Sequence, residues 1–247
     1  MELQEFFRRH PRTALGFSGG TDSAYLLYAG LKCGADVRPY YIKTQFQPKF
    51  ELEDAMRLCG ELGTELRVID CDILSDENIA ANPADRCYHC KRTLFTLLSE
   101  RAASDGVEEL IDGTNASDDP GDRPGTRALR ELGVLSPLRD CGITKDEVRR
   151  LSREAGLFTS GKPSYACLAT RIPTGRRIEE ADLSMVEKAE DALRGLGYDD
   201  VRVRLESNGA RLELPEQMIG RAVSERAKLL EILGGFGSVT LDLRGRK

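Results

Sequence analysis

Residues 14–33 read ALGFSGGTDSAYLLYAGLKC, a short apolar run, a polar turn and then a helical pattern. Ala14 to Phe17 has the character of a strand, and Asp22 to Cys33 carries apolar residues at helical spacing. Between them stand Ser18, Gly19, Gly20, Thr21, Asp22 and Ser23. Two glycines let the backbone approach a ligand closely, serine and threonine hydroxyls add donors, and a helix N-terminus favours negative charge. The turn suits a phosphate chain, pyrophosphate above all. Ser and Asp also serve as plain helix caps, so a capped strand-to-helix turn is the competing reading. A Walker loop needs Gly-Lys-Ser/Thr and a dinucleotide fold needs GxGxxG, and this turn has neither.

Working outward, Val37–Ile42 and Leu66–Asp70 read as strands, with a helix over Phe50–Leu62 between them. That alternation predicts βαβ units and an α/β domain on a parallel sheet. A helix is expected at Cys87–Ala103, with Leu94, Leu97 and Leu98 on one face, followed by a strand at Glu109–Asp112. Residues 113–127, GTNASDDPGDRPGTR, read as a loop over a strand end, where open α/β sheets bind ligands. Helices follow at Thr126–Leu132 and Thr144–Ala155, then a polar passage from Thr159 to Gly175. Beyond it come helix Ala181–Leu196, strands Val201–Leu205 and Ala210–Leu214, helix Glu216–Leu233 and strand Ser238–Leu243, the pattern of a smaller α+β unit. The expected organisation is a nucleotide-binding domain over 1–160, a functional linker over 161–178 and a small C-terminal domain over 179–247.

The composition, 40% hydrophobic and 31% charged, is that of a soluble globular protein, and no apolar run approaches the roughly 20 residues of a membrane span. Forty-one Asp and Glu against 36 Lys and Arg leave a net charge of −5, so the bulk positive field of a nonspecific nucleic-acid binder is missing. A local RNA site stays open. The start, MELQEFFRRH, mixes acids and bases where a secretory leader has a basic stub and an apolar core, so a cytoplasmic location is expected.

Seven cysteines, an odd number, and only two histidines point to thiol chemistry over disulfide staples or histidine-built sites. Cys87 and Cys90 form CYHC, followed by Lys91, at the start of the expected helix. A spacing of three puts both thiols on one face, near a helix end that favours thiolate. A redox pair or half of a structural zinc site uses the same spacing. Cys167, in KPSYACLATRIPTG, is flanked in sequence by Lys162, Arg171, Arg176 and Arg177, a cationic setting for a thiolate or a phosphorylated ligand; a packed structural cysteine is the alternative. Cys33, Cys59, Cys71 and Cys141 fall in or beside apolar segments and are expected in the core.

SGGTDS after a strand resembles the PP-loop of the ATP pyrophosphatases. That resemblance implies cleavage of ATP between its α and β phosphates, adenylation of a carbonyl or carboxyl oxygen, and release of AMP and pyrophosphate. A longer set of motifs is more specific: RCYHCKR (86–92), DGTNASDD (112–119), DRPGTRALRELGVLSPL (122–138), GITKDEVRRLSREAGL (142–157) and KPSYACLATRIPTG (162–175). Together they resemble the LarE family of ATP-dependent sulfur transferases, from the PP-loop to VTLDL at 239–243. The resemblance implies a PP-loop domain with a smaller C-terminal α+β domain, in a homo-oligomer that is commonly a hexamer. It also implies sulfuration of pyridinium-3,5-biscarboxylic acid mononucleotide, giving the precursor of the nickel-pincer nucleotide. Single-cysteine members donate the sulfur of the residue matched by Cys167 and are left with dehydroalanine. CYHC stands where those members have no thiols. The three-cysteine form is therefore implied, with Cys87, Cys90 and Cys167 holding a 4Fe-4S cluster whose fourth iron carries a sulfide supplied by a sulfur donor.

Charge adds further candidates. Asp22 and Asp118 offer hard oxygen ligands for Mg2+ on the phosphates, or else cap a helix and a turn. Lys91 is a candidate for the α-phosphate, or a solvated lysine. Arg202 and Arg204 in VRVRLESNGAR (201–211) share one face of a strand, near the place where the family binds the substrate phosphate, or form an ordinary charged face. Competing functions are a tRNA thiolase and a non-enzymatic nucleotide- and cluster-binding sensor. Residues 171–211 hold eight Lys and Arg against nine Asp and Glu, which disfavours RNA.

Overall fold

A computed structural model describes residues 1–118 and 124–246. Residues 119–123, with Asp119 and Asp122 of the expected polar loop, lie outside the described residues. In chain order the elements are α1 (Leu3–Arg9), β1 (Arg12–Gly16), α2 (Thr21–Lys32), β2 (Asp36–Lys43), α3 (Lys49–Glu61), β3 (Arg67–Asp70) and α4 (Glu77–Ala80). Then come α5 (Arg86–Ser104), β4 (Leu110–Ile111), α6 (Pro124–Glu131), α7 (Pro137–Asp140) and α8 (Lys145–Glu154). The chain ends with α9 (Glu180–Gly195), β5 (Arg202–Glu206), β6 (Gly209–Glu213), α10 (Glu216–Ser224), α11 (Arg226–Leu233) and β7 (Ser238–Leu241). The contacts divide the chain into two compact units, Met1–Ile73 with Asp85–Tyr165, and Leu74–Ala84 with Ala166–Lys247.

The first unit is a wholly parallel four-stranded sheet in the order β3-β2-β1-β4. A parallel sheet is covered on both faces, and successive residues of β1 go to opposite sides. Leu15 joins Phe6, Phe7, Leu26, Leu27, Val37 and Val148 in one core, while Ala14 joins Tyr40, Phe95, Leu98 and Leu129 in the other. Each such fully buried large side chain contributes roughly 1.5–3 kcal/mol. The chain runs from β1 outward to β3 and then returns to β4 on the other side of β1, so the topological switch point lies between β1 and β4. Open sheets of this kind bind ligands at the carboxyl ends of the strands at that point. The turn after β1 is the SGGTDS turn.

In the second unit β5 pairs antiparallel with β6 and β6 parallel with β7. Tyr198, Val203, Leu205, Leu212, Leu229 and Leu233 are among its buried residues. The fold is therefore α/β with a parallel sheet, plus a smaller unit of mixed α and β structure. One expectation is corrected: the single helix over Glu216–Leu233 is two, broken at Glu225. The Glu225 carboxylate accepts from the Tyr198 hydroxyl at 2.9 Å and from Arg221 Nε at 3.2 Å, and the residue takes φ −96°, ψ 16°. Among the described residues no helix is long and apolar enough to cross a membrane.

Candidate functional site

The turn after β1 is held open by its glycines. Gly19 takes φ +69°, and a Cβ there would lie 3.0 Å from the Glu51 carbonyl of α3. Gly20 is the N-cap of α2. Ser18 Oγ accepts from the Gly20 amide at 3.3 Å and lies 3.2 Å from Ser23 Oγ. The first amides of a helix have no partner within it, so this end of α2 presents donors and the positive end of its dipole. Thr21 differs from the expected phosphate donor, because its buried hydroxyl donates to the Thr159 carbonyl at 2.8 Å. The loop after β4 closes on the same place: a Cβ on Gly113 would stand 2.9 Å from the Ser23 nitrogen.

Asp22 and Asp118 are both tied to Asn115. Asn115 Nδ2 donates to Asp22 Oδ1 at 3.4 Å, and the Asn115 amide donates to Asp118 Oδ2 at 2.9 Å. Asp22 is also paired with Lys145 of α8, Nζ to Oδ2 at 2.5 Å. Buried Asp112 shapes the loop, accepting from Ser136 Oγ at 2.8 Å and from the amide and hydroxyl of Thr114. Lys162 lies beside the turn as well, with Nζ 2.5 Å from Asp54 Oδ2 and 3.4 Å from the Gly19 carbonyl oxygen. Sequence reasoning missed Asn115, Lys145 and Asp54. No local pattern marks them, since their partners lie far along the chain.

Cys87 and Cys90 sit in the first turns of α5, the former exposed and the latter half-buried. Arg86 Nη2 lies 3.7 Å from Cys87 Sγ. Lys91 places its ammonium 5.3 Å from the Phe95 ring centroid. The cysteines expected in the core divide. Cys59 is buried, and burial pushes its thiol up to about 12. Cys71 and Cys141 are half-buried, also with thiols raised chiefly by burial. Cys33 is exposed, because it is the C-cap of α2, past the helix's packed face. None of the seven cysteines, all of them among the described residues, is in a disulfide.

In the second unit Cys167 precedes a 3-10 turn, Leu168–Arg171. Its carbonyl accepts from the Thr170 amide at 3.0 Å and the Thr170 hydroxyl at 2.8 Å. Arg171 is wholly buried, with Nε and Nη2 donating to the two Glu190 oxygens at 2.7 and 3.1 Å and Nη1 to the Ala166 carbonyl at 2.9 Å. Arg176 pairs with Asp182, and Arg177 with Glu77 and Glu179. The cations flanking Cys167 in sequence, expected to make a cationic setting, are each paired with a carboxylate. Arg202 is buried and 3.2 Å from Asp200; burial, then the Arg171 and Arg246 charges, pushes its pKa down to about 10. Arg204, more accessible, pairs with Glu213 at 2.6 Å and donates to the Thr170 carbonyl at 2.5 Å. The described residues gather no group of three or more His, Cys, Asp and Glu side chains into a metal site.

No protein-family model matches the chain. An uncharacterized protein of Synechocystis sp. is 38% identical over 98% of this chain and 92% of its own length. The pyridinium-3,5-bisthiocarboxylic acid mononucleotide synthase of Lactiplantibacillus plantarum is 35% identical over 95% of this chain and 86% of its own length. More distantly, a tRNA-specific 2-thiouridylase of Thermotoga petrophila is 25% identical over 89% of this chain and 74% of its own. With a glycine-built strand-to-helix turn at the switch point of a parallel sheet and likeness at this level over almost its whole length, the chain belongs to the LarE family, that of the pyridinium-3,5-bisthiocarboxylic acid mononucleotide synthase.

Proposed function

We propose that the protein is an ATP-dependent sulfur transferase that adenylates and thiolates the carboxylates of pyridinium-3,5-biscarboxylic acid mononucleotide, releasing AMP and pyrophosphate. The observation that carries this reading is the 35% identity to the synthase across 95% of the chain. The built turn at Ser18–Ser23 supports the ATP half of it. In this reading the amides at the start of α2 and the Ser18 hydroxyl take the pyrophosphate portion, where a leaving group gathers negative charge, and the buried Ser23 hydroxyl, which donates to the Gly20 carbonyl at 3.2 Å, braces the turn beside them. Asp22 and Asp118, joined through Asn115, supply oxygen ligands for Mg2+. Lys91 is assigned to the α-phosphate. The strand bearing Arg202 and Arg204 is assigned to the phosphate of the mononucleotide, with Arg204 the accessible member.

Cys87, Cys90 and Cys167 are soft thiolate donors that fit an iron–sulfur cluster in kind, two from one helix face and one from the second unit. A 4Fe-4S cluster on those three would leave one iron to carry a transferable sulfide. The protein is taken to work in the cytoplasm, and, as the family resemblance implies, as a homo-oligomer.

The test is anaerobic. Each of Cys87→Ser, Cys90→Ser and Cys167→Ser is expected to lose iron content and sulfuration together, while ATP-dependent pyrophosphate release persists. A single sulfur transfer per protomer, needing no iron and leaving dehydroalanine at 167, would remove the cluster and leave the sulfur transferase standing. Asp22→Ala is expected to weaken Mg-ATP binding while the cluster spectrum is unchanged. Direct formation of ADP and orthophosphate would remove the PP-loop chemistry.

A further inference from the structure

We infer that Lys162 is a triphosphate-binding residue held in reserve: without nucleotide its ammonium is kept by Asp54, and the phosphates of ATP take it from that carboxylate. The inference rests on the ATP-dependent reading above.

Three features of the first unit carry it. Lys162 Nζ touches both Asp54 Oδ2, at 2.5 Å, and the carbonyl of Gly19 within the phosphate turn, at 3.4 Å. The cation already stands at the ligand's edge, and an ammonium with three donors can reach phosphate oxygens while it keeps that carbonyl. Secondly, the main chain around Lys162 is anchored and only its side chain needs to turn. The Thr159 carbonyl accepts from Thr21 at 2.8 Å, and the Lys162 carbonyl accepts from Arg149 at 3.4 Å.

Thirdly, the charges balance in the free protein. Lys145 neutralises Asp22, and Asp54 neutralises Lys162, on side chains that are only 20–29% exposed. A polyanion entering between these pairs adds negative charge, and Lys162 is the cation whose present partner can return to water. Asp54 lies on α3 and keeps 29% of its side chain in contact with water, so it can be hydrated once the lysine turns away. Asp54 thus competes with the ligand, and the two partners of one ion pair affect nucleotide affinity with opposite signs.

The experiment is calorimetric titration of the whole chain with Mg2+ and α,β-methylene-ATP, which resists cleavage, with AMP as control. Lys162→Met is expected to weaken binding of the analogue about tenfold or more, as loss of a charge-assisted contact does, and to change AMP binding far less. Lys162→Arg should recover most of that loss. Asp54→Asn should tighten the analogue about threefold, and lose this gain when combined with Lys162→Met. Should Lys162→Met fold poorly, the sign of the Asp54→Asn effect decides alone. If wild type binds the analogue and Asp54→Asn weakens it or leaves it unchanged, the inference falls and the ATP reading stands. If wild type does not bind the analogue, the ATP reading falls and takes the inference with it.

Discussion

Charge is handled in two different ways in the two units. Beside the turn after β1, Lys145–Asp22 and Lys162–Asp54 are half-buried pairs of flexible lysines, each keeping 20–29% of its side-chain surface in water. Under Cys167, Arg171 and Glu190 form a bidentate pair with no exposure at all, and Glu190 also accepts from the Val203 amide at 2.9 Å. Pairs of the first kind can exchange partners, because each member regains solvent when released. The second kind cannot, because a stranded buried charge is worth several kcal/mol against the fold. On the proposed function, a turn that takes up nucleotide gains from the former, and a cysteine that must be presented in one place gains from the latter.

The sharpest way to break the comparison is Glu190→Gln. It leaves the Arg171 guanidinium buried without its counter-charge, and a cost of about 3–5 kcal/mol is expected. Denaturant unfolding checks it; a loss no larger than that of Asp54→Asn would show that burial does not separate the two kinds of pair. Next in size is Gly19→Ala. The left-handed φ of +69° and the Glu51 carbonyl 3.0 Å from the new Cβ should cost about 1–2 kcal/mol and weaken nucleotide binding, measured by melting and titration.

Alkaline pH gives a smaller, graded test of the first unit. Burial pushes Cys59 from 9.0 up to about 12, and burial with the Asp105 carboxylate pushes Tyr40 from 10.0 up to about 12. The folded state holds both protons more tightly than the unfolded chain does. Stability is therefore full below pH 9 and is lost as pH rises from 9.0 toward about 12. Thermal unfolding across that window should follow Cys59→Ala with a shallower slope than wild type. Smallest of all is Arg177→Gln, which removes exposed pairs with Glu77 and Glu179; no measurable change in melting temperature is expected.

Local chemistry made most of the fold legible. Apolar strands alternating with helical spacing give the parallel sheet, and a glycine pair after β1 gives the turn at its switch point. What stayed hidden depends on distant partners. Glu225, between the two C-terminal helices, accepts from the hydroxyl of Tyr198, 27 positions earlier. Lys145 and Asp22 are 123 positions apart, and Lys162 and Asp54 are 108. Lys145 and Asp54 read locally as solvated charges, and the partners of Asp22 and Lys162 could not be read from their neighbours. Cys33 misled for the opposite reason: its neighbours are apolar, but it falls one residue beyond the helix they belong to.

The division of the chain also sets an order of assembly. Leu74–Ala84 belongs to the second unit, yet it is made before most of the first. Ile79 and Ala80 are buried there, the Asn82 side chain donates to the Ile172 and Pro173 carbonyls, and the Ile178 amide donates to Ala80. Those partners leave the ribosome on the order of 90 residues later, which at about 5–20 residues per second is a wait on the order of ten seconds. For that interval the Ile79 and Ala80 side chains lack the partners that bury them, while the first unit already has all of its residues by position 165. During synthesis those two apolar side chains are thus left open to chaperones and proteases until the C-terminal partners emerge.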